Sequence, residues 1–248
     1  MRIEIRRNLT DRKAFVLGGT GGIGRATARA LGLRGASVDI HGRDSGKLDA
    51  ALREFRREGI TAGGTAGELV VLDDALPLRK RAEAADILVI AWGPFLQKPL
   101  HETTPEDWKR LADFDFALPG VLVSAALSGM RERKWGRILL FGGTRTDGIR
   151  GFRTNAAYAA AKTSLGTLAK SISAQYAPHG VAALVLCPGF VETEYLTPEQ
   201  KRNLTTRAPQ GRLTRPDDIG DLAAVLLAQD PPLWNGAVLT ADEGLFAW

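Results

Sequence analysis

The sequence predicts an α/β fold: a parallel, doubly wound β-sheet with helices on both faces. Three observations point to it. Short apolar runs alternate with helical patterns along the chain, the first run breaks into a glycine-rich turn, and no long linker or internal repeat interrupts the order. A chain of 248 residues that is 44% hydrophobic can bury one good-sized core, so residues 1–248 are read as a single domain.

The elements follow in order. Ala14–Leu17 is a short apolar run bounded by charge and glycine, which reads as a buried strand. A helical pattern through Ala26, Ala30, Leu31 and Leu33 extends over Gly22–Arg34 and stops near Gly35. Val38–His41 is the second strand, followed by a helix over Lys47–Glu58. The third strand falls near Thr61–Ala66 or Leu69–Leu72, and a short helix follows Pro77. Asp86–Ala91 is the fourth strand. A helical tract then covers Pro105 to Arg133, with Pro119 and Gly120 expected to bend it. Arg137–Phe141 is the fifth strand. Ala156–Ala177 is a helix stopped by Pro178 and Gly180, and Val181–Cys187 is the sixth strand. Pro216–Ala228 is a helix and Ala237–Ala241 a final strand.

Two motifs carry chemistry. In the first, strand, glycine turn and helix follow one another through Gly18-Gly19-Thr20-Gly21-Gly22-Ile23-Gly24. Gly18 permits the tight turn. Gly22 and Gly24 let a pyrophosphate approach the backbone and let the helix pack close, and the free N–H groups at the helix start face the anion. In the second, Tyr158 and Lys162 stand four residues apart, one turn along the same helical face. A free tyrosine has a pKa of about 10. A lysine beside it favours the phenolate and is expected to draw that value down toward neutrality.

Together, at this spacing, the motifs resemble the short-chain dehydrogenase/reductase family over nearly the whole chain, including its 3-oxoacyl-acyl-carrier-protein reductases. Asp86 to Gly93 resembles the family's fourth strand and following turn, Pro188-Gly189-Phe-Val-Glu-Thr193 its nicotinamide-holding loop, and Ala241-Asp242-Glu243-Gly244 its C-terminal signature. The resemblance implies a Rossmann-type fold and hydride transfer between a nicotinamide and a ketone or secondary alcohol. The cofactor set would be Gly18, Thr20, Gly22, Ile23, Gly24, Arg43, Ala91, Gly93, Tyr158, Lys162, Pro188, Gly189, Val191 and Thr193. Tyr158 would give the proton, and Lys162 would hold the nicotinamide ribose. Where the family often places an acid that binds the adenosine ribose, this chain has Gly42 followed by Arg43. Loss of the carboxylate and gain of a guanidinium favour NADP(H) over NAD(H), the other reading being an ordinary surface arginine in a turn, with Asp44 weakening the positive field.

The chain departs from the family at three places. The family's serine after strand five, which binds the substrate oxygen, is absent from Phe141-Gly-Gly-Thr144-Arg-Thr146-Asp147. Thr144 is the expected substitute, with Thr146 the second candidate. Asp115 stands where a proton-relay asparagine is usual, a role that a main-chain carbonyl can fill. Its charge is expected to lower the acidity of the tyrosine or strengthen the hold on Lys162. Ile90-Ala91-Trp92-Gly93 keeps only the final glycine of the family's Asn-Asn-Ala-Gly, and Trp92 belongs either to the cleft or to the core. These losses leave a second reading open: a cofactor-binding protein with degraded chemistry, acting as a redox sensor or subunit partner.

The segment Glu194 to Arg215 is polar, with Pro198 and Pro209, and residues from about 190 to 215 resemble the family's mobile substrate lid. Arg150, Arg153, Arg202 and Arg207 face either an anionic substrate or solvent. Lys134 and His179 fall near positions that are basic in relatives acting on acyl-carrier-protein substrates, so such a carrier is a candidate partner. The resemblance further implies a homotetramer built through the helices at Pro105–Arg133 and Ala156–Ala177. Net charge is +5, but the arginines are spread and no aromatics interleave with them, which argues against a nucleic-acid platform. No apolar run in the sequence reaches the roughly 18–20 residues of a membrane span. Met1 to Arg7 carries charges where a signal peptide would be apolar. Cys187, the single cysteine, sits in an apolar run and reads as a buried strand thiol in a reducing, cytoplasmic setting. His41, His101 and His179 are scattered, so no metal is expected.

Overall fold

The computed structural model describes residues 8–246; the charged start, Met1 to Arg7, lies outside them. The strands are β1 (Lys13–Leu17), β2 (Ser37–Gly42), β3 (Ala62–Ala66), β4 (Ile87–Ile90), β5 (Gly136–Phe141), β6 (Val181–Pro188) and β7 (Val238–Ala241). All neighbouring strands pair in parallel, in the order β3-β2-β1-β4-β5-β6-β7. The order reverses between β1 and β4, so a crevice opens there beyond the carboxyl ends of the strands.

Parallel strands need crossovers, and these supply the helices: α1 (Gly22–Leu33), α2 (Ser45–Arg57), α3 (Leu78–Ala84), α4 (Pro105–Ala112), α5 (Leu118–Arg133), α6 (Ala156–Tyr176), α7 (Pro198–Arg207) and α8 (Pro216–Leu227). They divide the core in two. One layer gathers Val16, Leu31, Ile40 and Phe55 with Ala223 and Leu227 of α8. The other gathers Phe15, Leu88, Leu122, Met130 and Leu165. Alternation along β1 sends Phe15 to one layer and Val16 to the other, as a sheet covered on both faces requires. The predicted α/β class and the parallel, doubly wound sheet are therefore what this chain forms.

Four local expectations are settled or revised. Of the two positions considered for the third strand, Ala62–Ala66 is the strand, while Leu72–Ala75 forms a 3-10 turn. The irregularity in the long helical tract precedes Pro119 and Gly120. It is a π-helical turn over Asp113–Ala117, after which α5 runs on to Arg133. The segment after Glu194 holds a helix rather than only a loop. Thr197 caps α7 by accepting from Gln200 N, and the Gln200 side chain returns to the Thr197 amide, with Pro198 at the first turn. Finally, Pro105–Arg133 taken as one helix is long and apolar enough by composition to cross a membrane, contrary to the reading of the sequence. More than half of that apolar stretch is buried in this fold, where α5 packs against α3 and the sheet.

Helices α1 and α8 pack against each other, and their fit depends on Gly220. A Cβ at that position would lie 2.6 Å from the carbonyl carbon of Ala26 and 2.7 Å from its oxygen, both backbone atoms that cannot turn aside. Gly220→Ala is expected to destabilise the protein by about 1–3 kcal/mol, as overpacking does. A lower urea midpoint at unchanged slope would register it.

Candidate active site

The crevice between β1 and β4 opens into a cleft of about 810 Å³, within the range of about 300–1,000 Å³ usual for ligand sites. Gly18, Thr20, Gly22, Ile23, Arg43, Ala91, Gly93 and Thr193, eight of the residues expected to hold a cofactor, line it. Gly18 has φ +82, and a Cβ on it would sit 2.7 Å from the Ala91 carbonyl oxygen. Gly24 lies beneath the cleft, where any side chain would strike the Gly18 carbonyl, so its role is close packing of α1 on the turn. The turn therefore keeps bare backbone where a dinucleotide would approach, and the residues present fit that group.

Position 42 explains the missing acid. A Cβ there would collide with the Thr20 side chain, which packs over the end of β2. Arg43 follows, exposed and facing the cleft. Trp92 both lines the cleft and meets Phe114 edge to face at 5.3 Å, which joins the two roles considered for it.

Tyr158 and Lys162 project from the first turns of α6 beside the inner end of the cleft. Phe95, a cleft residue, meets the Tyr158 ring at 5.0 Å. Lys162 Nζ is buried, 6.0 Å from the Tyr158 ring and 2.9 Å from Asp115 Oδ1. Asp115 is wholly buried in the π-helical turn, and neither carboxylate oxygen takes a well-aligned hydrogen bond among the described residues. The contact is thus a buried ion pair. Burial pushes the Asp115 carboxyl above its ordinary value, and Lys162 opposes that rise.

Here two expectations are corrected. Lys162 was expected to draw the Tyr158 phenol toward neutrality. Instead the phenol is pushed up, first by burial and then by the Asp115 carboxylate, while the lysine charge is matched by that same carboxylate. Asp115 accordingly has both effects foreseen for it, lower acidity at Tyr158 and a tight hold on Lys162.

The second correction concerns the hydroxyl expected from Thr144. That hydroxyl donates to the carbonyls of Pro188 (3.1 Å) and Gly189 (3.3 Å), so it ties β5 to the loop after β6. Thr146 is no closer to the role. Its oxygen accepts from Gly143 N at 2.8 Å and donates to Gly143 O at 3.0 Å, closing the turn. The residue whose side chain would face the phenol is Gly143, where a Cβ would sit 2.9 Å from the Tyr158 hydroxyl. The sequence signal was available, since Gly142-Gly143 directly follows the β5 apolar run, but a search for a hydroxyl passes over a glycine.

The other expected residues occupy supporting places. Pro188 and Gly189 receive the Thr144 hydroxyl, and Val191 is buried and bridges to Thr214. Cys187 is a buried thiol pushed up to about 11, chiefly by burial. His41 accepts or donates at Thr65 Oγ1 (3.1 Å), and burial lowers its pKa. Arg150 pairs with Asp147 and Arg207 lies 5.0 Å from the Phe190 ring; Arg153 and Arg202 are exposed. Lys134 and His179 precede β5 and β6, at the opposite end of the sheet from Gly143. At about 3.3 Å per strand residue they stand roughly 20 Å from the site.

Removing the Asp115 carboxylate removes a charge that disfavours the phenolate, so Asp115→Asn is expected to let Tyr158 ionise at lower pH. Ultraviolet difference titration against Tyr158→Phe isolates that tyrosine, and an unchanged or higher titration would contradict the assignment. At position 143, alanine adds only crowding, whereas serine adds a donor worth about 3–4 kcal/mol when well placed. Gly143→Ser should therefore exceed Gly143→Ala at least tenfold in kcat/KM, and equal rates would refute the claim that this position faces the reacting oxygen.

The chain is similar to known proteins along most of its length. Residues 12–204 match the family described as short chain dehydrogenase. The 2-dehydro-3-deoxy-D-gluconate 5-dehydrogenase of Formosa agariphila is 29% identical over 245 residues, covering 94% of this chain and 92% of that protein. The cis-4-hydroxycyclohexanecarboxylate dehydrogenase of Sinomonas cyclohexanicum is 31% identical over 245 residues, covering 96% and 97%. Among solved structures, the 3-oxoacyl (acyl-carrier-protein) reductase of Agrobacterium tumefaciens C58 with NADP bound superposes with a TM-score of 0.89 at 29% identity, covering 98% of this chain and 97% of that one. With most of its length inside the family match and a glycine-lined cleft at the switch point of its sheet, this chain belongs to the short chain dehydrogenase family of oxidoreductases.

Proposed function

We propose that this protein transfers a hydride between NADP(H) and a ketone or secondary alcohol, with Tyr158 moving the proton. The observation that carries the reading is the Asp115–Lys162 pair and Tyr158, which meets the cleft residue Phe95, beside a cleft where the end of β2 presents Gly42 and then Arg43, with Asp44 and Glu68 also in the lining. Bound NADP(H) supplies the hydride and accepts it in the reverse direction. At neutral pH the half-buried phenol of Tyr158 is protonated, the form that donates to a carbonyl oxygen as it becomes an alcohol. Lys162, fixed by Asp115, is positioned to bind ribose hydroxyls. Pro119 has no amide, so the Asp115 carbonyl receives no hydrogen bond from the residue four positions on. Arg43 is the group suited to a 2′-phosphate.

At the substrate, Gly143 offers no hydroxyl, and Tyr158 becomes the principal donor to the reacting oxygen. Two of the relatives are named for hydroxy or oxo acids and one for an oxoacyl thioester. With Lys134 and His179 remote, a free small carbonyl compound is favoured here over a carrier-bound one. The bare position 143 favours a second reading, a cofactor-binding protein with little turnover. Trp108 and Phe116 are large apolar residues left exposed on the long helical tract, which supports assembly into a homotetramer. Light scattering would contradict that by finding a stable monomer.

The deciding experiment is a fluorescence titration with NADPH and NADH, for which Trp92 in the cleft is a reporter. NADPH should bind at micromolar concentration and at least tenfold tighter than NADH; the reverse preference would overturn Arg43 as phosphate reader. A carbonyl-substrate screen follows. Tyr158→Phe should abolish any turnover found while changing NADPH affinity less than threefold, and persistent turnover would remove Tyr158 from the mechanism.

A further inference from the structure

We propose that Glu194 and Tyr195 form a latch across the cofactor cleft, with the Glu194 carboxylate occupying the anion position that the pyrophosphate must take. The inference rests on the dinucleotide reading of the cleft and concerns how the cofactor enters it.

The contact is specific. Gly22 N, at the start of α1, donates to Glu194 Oε1 and Oε2, each at 3.2 Å, across 172 residues of sequence. An ordinary helix cap comes from the residue at the helix start or from its first turn. Neither source exists here, since Gly21 has no side chain and the first turn of α1 carries no acid. The anion arrives instead from the segment after β6. Tyr195 reinforces it: its hydroxyl lies against Gly21, where any side chain would collide with it, and Lys47 Nζ stands 5.0 Å from its ring. Thr193 and Tyr195 both line the same cleft as Arg43 and Gly18.

The segment is held at both sides of these residues. Val191 bridges to Thr214 on one side, and the capped start of α7 follows at Thr197 on the other. A bound pyrophosphate would seek the same Gly22 amide and carries charge of the same sign as Glu194. The two anions cannot share that donor, so cofactor entry requires Glu194 to leave, and cofactor departure lets it return.

The test compares wild type with Glu194→Gln and Glu194→Ala by equilibrium titration with NADPH and by limited trypsin digestion without cofactor. The latch predicts NADPH affinity about three- to tenfold tighter in Glu194→Ala, with Glu194→Gln shifted in the same direction. It also predicts several-fold faster cleavage at Lys201 and Arg202 in the alanine variant. Unchanged or weaker NADPH binding in both variants would overturn the latch while leaving the cleft assignment standing. Failure of NADPH to bind wild type or either variant would overturn the cleft assignment and the latch together.

Discussion

The buried ion pair between Asp115 and Lys162 is the interaction on which the candidate site depends. It joins the π-helical turn before α5 to the first turns of α6, and Gly93 at the end of β4 must be bare to let it form, because a side chain there would strike the Asp115 carboxylate. Breaking a buried pair from one side costs about 3–5 kcal/mol in general, since it strands the partner charge. The pair therefore fixes the direction of Lys162 and, through α6, the place of Tyr158. It also sets the electrostatics: a lysine satisfied by a carboxylate does little to acidify a neighbouring phenol.

Around that pair the site is arranged by absence as much as by presence. Gly42 is bare where Thr20 fills the space beside it, so no side chain rises there from the end of β2. Gly143 is bare beside the Tyr158 hydroxyl, and the two threonine hydroxyls that follow it are spent on main-chain carbonyls. What remains is a phenol kept protonated by burial, with few competing donors near it.

Much of this was legible in the sequence, for identifiable reasons. The alternation of elements and the glycine turn could be read because strand runs and helix starts are local patterns. Tyr158 and Lys162 could be read because a four-residue spacing is a statement about one helix. The direction in which Thr144 turns was not legible, since it depends on carbonyls of Pro188 and Gly189, more than 40 residues away. The raised Tyr158 pKa depends in the same way on burial by distant elements. Helix α7 was a different case. Its capping box, Thr197-Pro198-Glu199-Gln200, is written in the chain but was overshadowed by the polar composition of the segment.

The π-helical turn at Asp113–Ala117 has a consequence of its own. Such a turn contains one more residue than an α-turn between the same two helical ends, and one residue corresponds to about 100° of rotation about the axis. Asp115 can thus face inward to Lys162 while Trp108 upstream and Phe116 beside it face out. A regular helix through the same residues could not keep all three orientations at once. The insertion sets the phase between the two surfaces of the tract, turning Asp115 toward Lys162 and leaving Trp108 and Phe116 on the outside.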